Sequence, residues 1–188
     1  MNYLLSKLKS YGDFSKEVED QLRNKIVVCQ KKRGDFFIRK GQIATSIFIL
    51  EKGAVRAFAE IENKETTLWL GFEDLILGSI LPAYFDQPAF ENIQFLEDSV
   101  VHSISIADLN NLYRMFPEMN IVGRKLAENY CNFLERRIQS LQADSATQRY
   151  QKLLMSEPDV IKRVPIKFIA SYLGISGETL SRIRSRLN

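Results

Sequence analysis

Near the C-terminus, Glu178, Ser181, Arg182 and Ser185 stand at i, i+3, i+4 and i+7, a spacing that gathers all four on one face of an α-helix. Thr179, Arg184 and Arg186 flank that face, and Leu180, Ile183 and Leu187 form an apolar stripe on the other side. Short polar groups and an arginine near a helix start can hydrogen-bond base edges, and further cations can hold phosphates. The rest of the chain offers little competing chemistry. Cys29 and Cys131 lie far apart, with no CxxC and no neighbouring histidine, which argues against a zinc site, an iron–sulfur site or a disulfide framework. The single histidine, His102, falls in the apolar alternation SVVHSISI and reads as a strand residue. No nucleophile–base pair, paired-acid site or metal cluster is recognisable, and Glu73-Asp74 reads as a turn. The chain is therefore expected to be neither an enzyme nor dependent on a cofactor.

Charge points the same way. Residues 144–188 hold eight basic side chains against four acidic ones, whereas the preceding 143 residues hold 18 against 19. The basic excess sits in the last quarter, where a polyanion-binding module would need it. No 18-residue apolar run occurs, and the N-terminal stretch MNYLLSKLKSYGDF has no uninterrupted apolar core, so the expectation is a cytoplasmic protein with no membrane partner.

The polar face must be held by its neighbours. Ile166, Ile169, Ala170 and Leu173 share one side of a first helix started by Pro165. Gly174 suits the left-handed backbone that ends a helix, and Ser176 suits the N-cap of the next. Upstream, RYQKLL reads as a helix and IKRVP as a short strand. Pro117 opens a helix of about 25 residues, some 37 Å at 1.5 Å per residue. Its apolar positions Val122, Leu126, Tyr130, Phe133/Leu134, Ile138 and Leu141 trace one stripe. Two readings of that stripe stay open: packing on its own domain, or pairing with a symmetry mate. Residues 1–25 read as helical, with a break at Gly12-Asp13 and a cap at Ser15. From Ile26 onward, short Val-, Ile-, Phe- and Thr-rich runs are punctuated at Gly34, Gly41, Gly53 and near Asn63. That rhythm indicates strands of a sandwich or barrel-like roll, closed by NIQFLEDSVVHSISI, with LILGSILPAYFDQPAF inserted as a loop or short helix.

Counted from Ile166, alanine occupies the fifth place (Ala170) and glycine the ninth (Gly174). Apolar residues fill places 4, 8, 10, 15 and 18, as Ile169, Leu173, Ile175, Leu180 and Ile183. This resembles the twenty-residue helix-turn-helix unit. GETLSRIR is similar to the recognition helix of the CRP/FNR superfamily of transcription regulators. RKGQIATSIFILEKGAVRAF resembles that family's sensor β-roll, and the helix from Pro117 its dimerisation helix. The resemblance implies an α+β chain in three parts: a cyclic-nucleotide-binding-like jelly roll over 1–116, a dimer helix over 117–143, and a helix-turn-helix domain over 144–188. It implies a homodimer on pseudo-palindromic double-stranded DNA, with RNA polymerase as a further partner. Carried over, Glu178 would accept from a cytosine amino group, Arg182 would donate to guanine, Thr179 would hold a phosphate, and Ser181 matches one branch of the family. Ser176, Ser185 and Arg186 complete the expected DNA-facing set. Gly177 departs from relatives that place a contacting side chain there.

The resemblance fails at the phosphate-binding cassette, where a Gly-Glu pair and an Arg-Ser pair are expected. Gly78 survives, but Ser79 replaces the glutamate and Pro88-Ala89 replace Arg-Ser. No arginine or lysine occurs between Lys64 and Arg114, and a buried phosphate needs a cation and N–H donors. The expectation is a protein not controlled by cyclic AMP, with Ile80, Leu81, Tyr84, Phe85 and Phe90 forming a filled core or a pocket for something less charged. Should an effector exist, the resemblance implies a shift between DNA-competent and incompetent dimers; an always-competent dimer stands equally open. The rival reading is a ligand-sensing protein whose C-terminal helices make protein contacts.

Overall fold

The computed structural model describes residues 2–79, 85 and 87–187. Two short helices come first, α1 (Tyr3–Lys9) and α2 (Lys16–Lys25). The break between them falls at Gly12-Asp13, and the Ser15 hydroxyl accepts from the Val18 N–H as the N-cap of α2. The strands follow: β1 (Val27–Lys31), β2 (Phe36–Ile38), β3 (Ser46–Lys52), β4 (Val55–Ile61), β5 (Lys64–Gly71), β6 (Ile76–Leu77), β7 (Asn92–Phe95) and β8 (Ser99–Ser105). They pair antiparallel into two four-stranded sheets, ordered β1-β8-β3-β6 and β2-β7-β4-β5. Between the sheets lies an apolar core that includes Phe48, Leu50, Val55, Ile93 and Phe95.

The expected turns are where glycine and asparagine placed them. Gly34, Gly41, Gly53 and Asn63 all take positive φ. At Gly53 the demand is double: φ is +128°, and a Cβ would sit 2.1 Å from the Ser99 hydroxyl, so no other residue fits. The stretch read as a loop or short helix instead begins with a strand, because Ile76 and Leu77 pair with Ile49 and Phe48 at the edge of the first sheet. Of the side chains expected to fill it, Ile80, Leu81 and Tyr84 lie outside the described residues.

After the roll come α3 (Ile106–Met115) and α4 (Pro117–Ala143). Pro117 occupies the first turn of α4, where its missing N–H costs nothing. The burial of its stripe changes along the helix. Met119 and Val122 are fully buried against α1, α2 and α3. Farther along, Tyr130, Phe133, Leu134, Ile138 and Leu141 are all exposed by about 40% or more. The helix thus packs on its own roll at its start and leaves the rest of the stripe bare.

The remaining elements are α5 (Ala146–Ser156), α6 (Val160–Arg163), α7 (Ile166–Tyr172) and α8 (Gly177–Leu187). Ser145 and Gln148 form a reciprocal capping box at the start of α5, which satisfies two otherwise free donors. IKRVP, read as a short strand, instead contributes its first three residues to a single helical turn, Val160–Arg163: the N–H groups of Lys162 and Arg163 donate to the Asp159 carbonyl, and Pro165 stops the turn from continuing. A third apolar core unites these helices with Ala54, Leu70, Phe72 and Leu96 of the roll. No helix among the described residues is long and apolar enough to cross a membrane.

Candidate nucleic-acid interface

The C-terminal pair is built as its side chains require. Ile169, Ala170, Leu173, Leu180 and Ile183 are buried together, and Ile175 is partly buried beside them. Gly174 takes φ +67° between the helices, the left-handed conformation that non-glycine residues adopt at a cost of about 1–2 kcal/mol. Ser176 caps α8: its hydroxyl accepts from the Thr179 N–H at 3.1 Å and lies 3.0 Å from the Thr179 hydroxyl. Leu187, expected inside, is 43% exposed; it occupies the last position of α8, past the end of the partners that bury Leu180 and Ile183.

Every residue expected to face DNA lies on the free side of α8 or at its cap. Ser176, Gly177, Glu178, Ser181, Arg182, Ser185 and Arg186 are exposed, and Thr179 is half-buried. Arg182 sends a weak hydrogen bond to the Thr179 hydroxyl at 3.3 Å. Among the described residues Arg182, Arg184 and Arg186 form no ion pair. Three guanidinium groups therefore stand on one short helix with solvent as their principal partner, and Glu178 sits in its first turn, where a carboxylate suits the helix dipole.

The other basic residues of this region are differently employed. Arg149 donates to the carbonyls of Leu173 (2.9 Å) and Asp144 (2.6 Å), tying α5 to the turn. Lys152 pairs with Asp144, and Lys162 with Asp159. Arg163 reaches Glu73 and Glu97 of the roll. The excess of positive charge in the last quarter is thus partly structural, and the outward cations narrow to Lys167 and the three arginines of α8. Sequence spacing could not separate the two sets, because the carboxylates holding Arg163 lie 90 and 66 residues away.

The effector cassette divides. Gly78 and Ser79 line a cavity of about 630 Å³ between β5, β6 and α4, together with Trp69, Leu77, Tyr130 and Phe133. The lining is mostly apolar. Among the described residues the Ser79 hydroxyl is buried there without a hydrogen-bond partner. Pro88 and Ala89 do not line this cavity. Ala89 is buried in the core between the sheets, with its N–H on the Gln42 carbonyl and its own carbonyl accepting from the Gly41 N–H, both at 2.8 Å. Phe85 and Phe90, expected in a filled core or a pocket, are 62% and 49% exposed, and Phe85 lines the cavity. Among the described residues one cation lines the cavity, Arg124 of α4, and it is ion-paired with Glu128. That contribution was invisible to a reading confined to the cassette.

His102 is the strand residue its context indicated. It is buried in β8, with Nε2 2.6 Å from Glu51 and Nδ1 3.3 Å from the Asn2 side-chain oxygen. Asn2 also caps α1, so the imidazole fixes the N-terminal helix to the roll. No group of three or more potential metal ligands occurs among the described residues.

Residues 28–116 match the family model of the cyclic nucleotide-binding domain, which spans the roll from β1 through α3. The described residues have the fold of CRP/FNR-type regulators. It superposes on FixK2 of Bradyrhizobium japonicum with a TM-score of 0.71 at 17% identity, covering 86% of this chain and 84% of that one. The c-di-GMP-responsive global regulator CLP of Xanthomonas campestris gives 0.70 at 16% identity, covering 92% and 91%. A protein of Eubacterium rectale assigned to the transcriptional regulators of the CRP/FNR family gives 0.70 at 15%, covering 91% and 82%. Comparison with curated protein sequences gives no match.

Proposed function

We propose that the protein is a sequence-specific, DNA-binding transcription regulator that acts as a homodimer on a pseudo-palindromic site without control by cyclic AMP. One observation carries the reading: α8 buries Leu180 and Ile183 while presenting Glu178, Ser181, Arg182 and Ser185 outward, beside cations that no carboxylate occupies. Glu178 and Arg182 read base edges in this proposal, and Ser176, Thr179 and Arg186 hold phosphates. The second half of α4 supports the dimer, since five apolar side chains on one helix stay about 40% or more exposed. Two-fold symmetry then sets the recognition helices about one DNA turn apart, roughly 34–36 Å. Independence from cyclic AMP is supported by the cavity, where Arg124, the one lining cation among the described residues, is paired with Glu128 and a buried hydroxyl stands in place of a carboxylate.

The test is selection of random duplexes on purified protein at low and near-physiological salt, with and without cyclic AMP. An inverted repeat that survives the higher salt without nucleotide is expected. Cyclic AMP should alter neither affinity nor the fluorescence of Trp69, the single tryptophan and a wall of the cavity. Arg182→Ala should cost about 1–3 kcal/mol at the selected site and relax one position in each half-site. Binding that is blind to sequence and vanishes with salt would sink the reading and favour protein contacts for the terminal helices.

A further inference from the structure

The DNA-reading helices are joined to the rest of the chain at two places. The first is α4 itself. Arg137 donates to the Tyr172 carbonyl and stacks 3.9 Å from the Tyr172 ring centre, and Leu141 lies beside Gly174. This joint ends at Asp144, where the backbone turns extended between α4 and α5. That joint engages α7 and the turn before α8 and does not involve α6.

The second joint is to the roll, and it is more extensive. Arg163 of α6 donates to both oxygens of Glu73 at 2.8 and 2.7 Å, to Glu97 at 3.1 and 2.5 Å, and to the Gly53 carbonyl at 2.9 Å. Nearby, the Arg56 guanidinium lies between the rings of Phe58 and Phe168, 3.9 and 3.5 Å from their centres. The Thr67 N–H donates to the Ser171 hydroxyl at 2.8 Å. Val160 and Val164, on either side of Arg163, are buried in the core shared with Ala54 and Phe72 of the roll. The apolar contact supplies area but little direction. Arg163 supplies direction, because a planar fork meeting carboxylates on two different loops fixes orientation as well as distance.

We propose that Arg163 is a positioning residue which, through Glu73 and Glu97, sets the separation and orientation of the two DNA-reading helices and hence the spacing between half-sites that the dimer accepts. This rests on the DNA-reading function proposed above. Arg163 touches no base in that scheme. Its loss leaves the base-reading face of α8 intact and removes the most directional contact between these helices and the roll, so their orientation is held less strictly. Half-site identity and half-site spacing are therefore specified by different residues, Arg182 for the first and Arg163 for the second.

The experiment uses the full chain and a set of duplexes carrying the selected half-sites with spacers of the optimal length and one and two base pairs longer or shorter. Each added pair moves a half-site by about 3.4 Å along the axis. The unmodified protein should lose roughly tenfold in affinity for each pair of mis-spacing, within the range of a single mismatched base. Arg163→Ala should compress that loss to within about threefold while keeping the preferred bases. The double variant Glu73→Gln, Glu97→Gln, altered only on the roll, should do the same, and covers the case in which Arg163→Ala folds poorly. Variants that are less stable yet as strict about spacing as the parent would overturn the inference and leave Arg163 a fold-stabilising residue. A parent protein that selects no inverted repeat would overturn the DNA-reading function, and this inference with it.

Discussion

At the scale of single residues, the turn between α7 and α8 separates two glycines with opposite reasons for being there. Gly174 takes φ +67°, and a Cβ at that place would meet only Leu141, at an ordinary 3.8 Å. Space is available, so the constraint is backbone conformation alone. Gly177, in contrast, has open space around it and no positive φ. Gly174→Ala should therefore lower stability by about 1–2 kcal/mol, while Gly177→Ala should leave it unchanged or slightly raise it, since alanine favours the helix. Thermal or urea unfolding of the two variants checks this, and equal losses would contradict the assignment. Gly174, Ser176 and the polar face of α8 were legible because their signals are local, each fixed by residues within one or two helical turns. Leu187 misled because periodicity says which side of a helix is apolar but not where its partners end.

At the scale of elements, α4 shows why one stripe can hold two answers. Its start is buried with α1, α2 and α3, and its later part is bare, yet the apolar spacing runs on unchanged. Burying each half-exposed side chain against a partner stabilises by roughly 1 kcal/mol, so the exposed half of the helix supplies several kcal/mol toward pairing. If the proposed dimer forms through this stripe, Ile138→Glu with Leu134→Glu should give monomer in sedimentation equilibrium with little change in the monomer's unfolding midpoint, because neither side chain belongs to the chain's buried cores. A dimer that survived both changes would place its interface elsewhere. The strands and their turns were readable from composition and glycine punctuation. The helical turn at Val160–Arg163 was not: IKRVP has the β-branched content of a strand, and only its docking on the roll makes it a helix. Tertiary contact outweighed local preference there, as it commonly does in short segments.

At the scale of the whole molecule, the joint between roll and reading helices could not be found in the sequence at all, since Arg163 meets carboxylates 90 and 66 residues upstream. Glu73 had read as no more than a turn residue, and a turn it is, but it also carries the joint. Its acid strength makes the joint testable. Burial by itself would push the Glu73 carboxyl up, yet the hydrogen bonds from Arg163 and from the Gly53 N–H outweigh it and hold the carboxyl below its usual value of 4.5. An acid whose folded pKa is depressed contributes stability that is fully present above its unfolded pKa and is lost as pH falls through the lower folded value. Glu157 has the opposite sign, pushed up by burial despite the attraction of Arg163, so its ionisation opposes folding as pH rises. Docking of α6 and α7 on the roll should therefore persist at neutral pH and weaken as the solution is acidified below about pH 4.5, the ordinary glutamate range. Amide hydrogen exchange at Val160–Arg163 between pH 6 and pH 3.5, corrected for intrinsic rates, reports it directly. Protection in that segment should fall with acid ahead of protection in β3 and β8, and Glu73→Gln should remove most of the pH dependence while lowering protection throughout. Simultaneous loss in the roll and in α6 would mean that acid unfolds the chain as one unit, with the joint no weaker than the domains it connects.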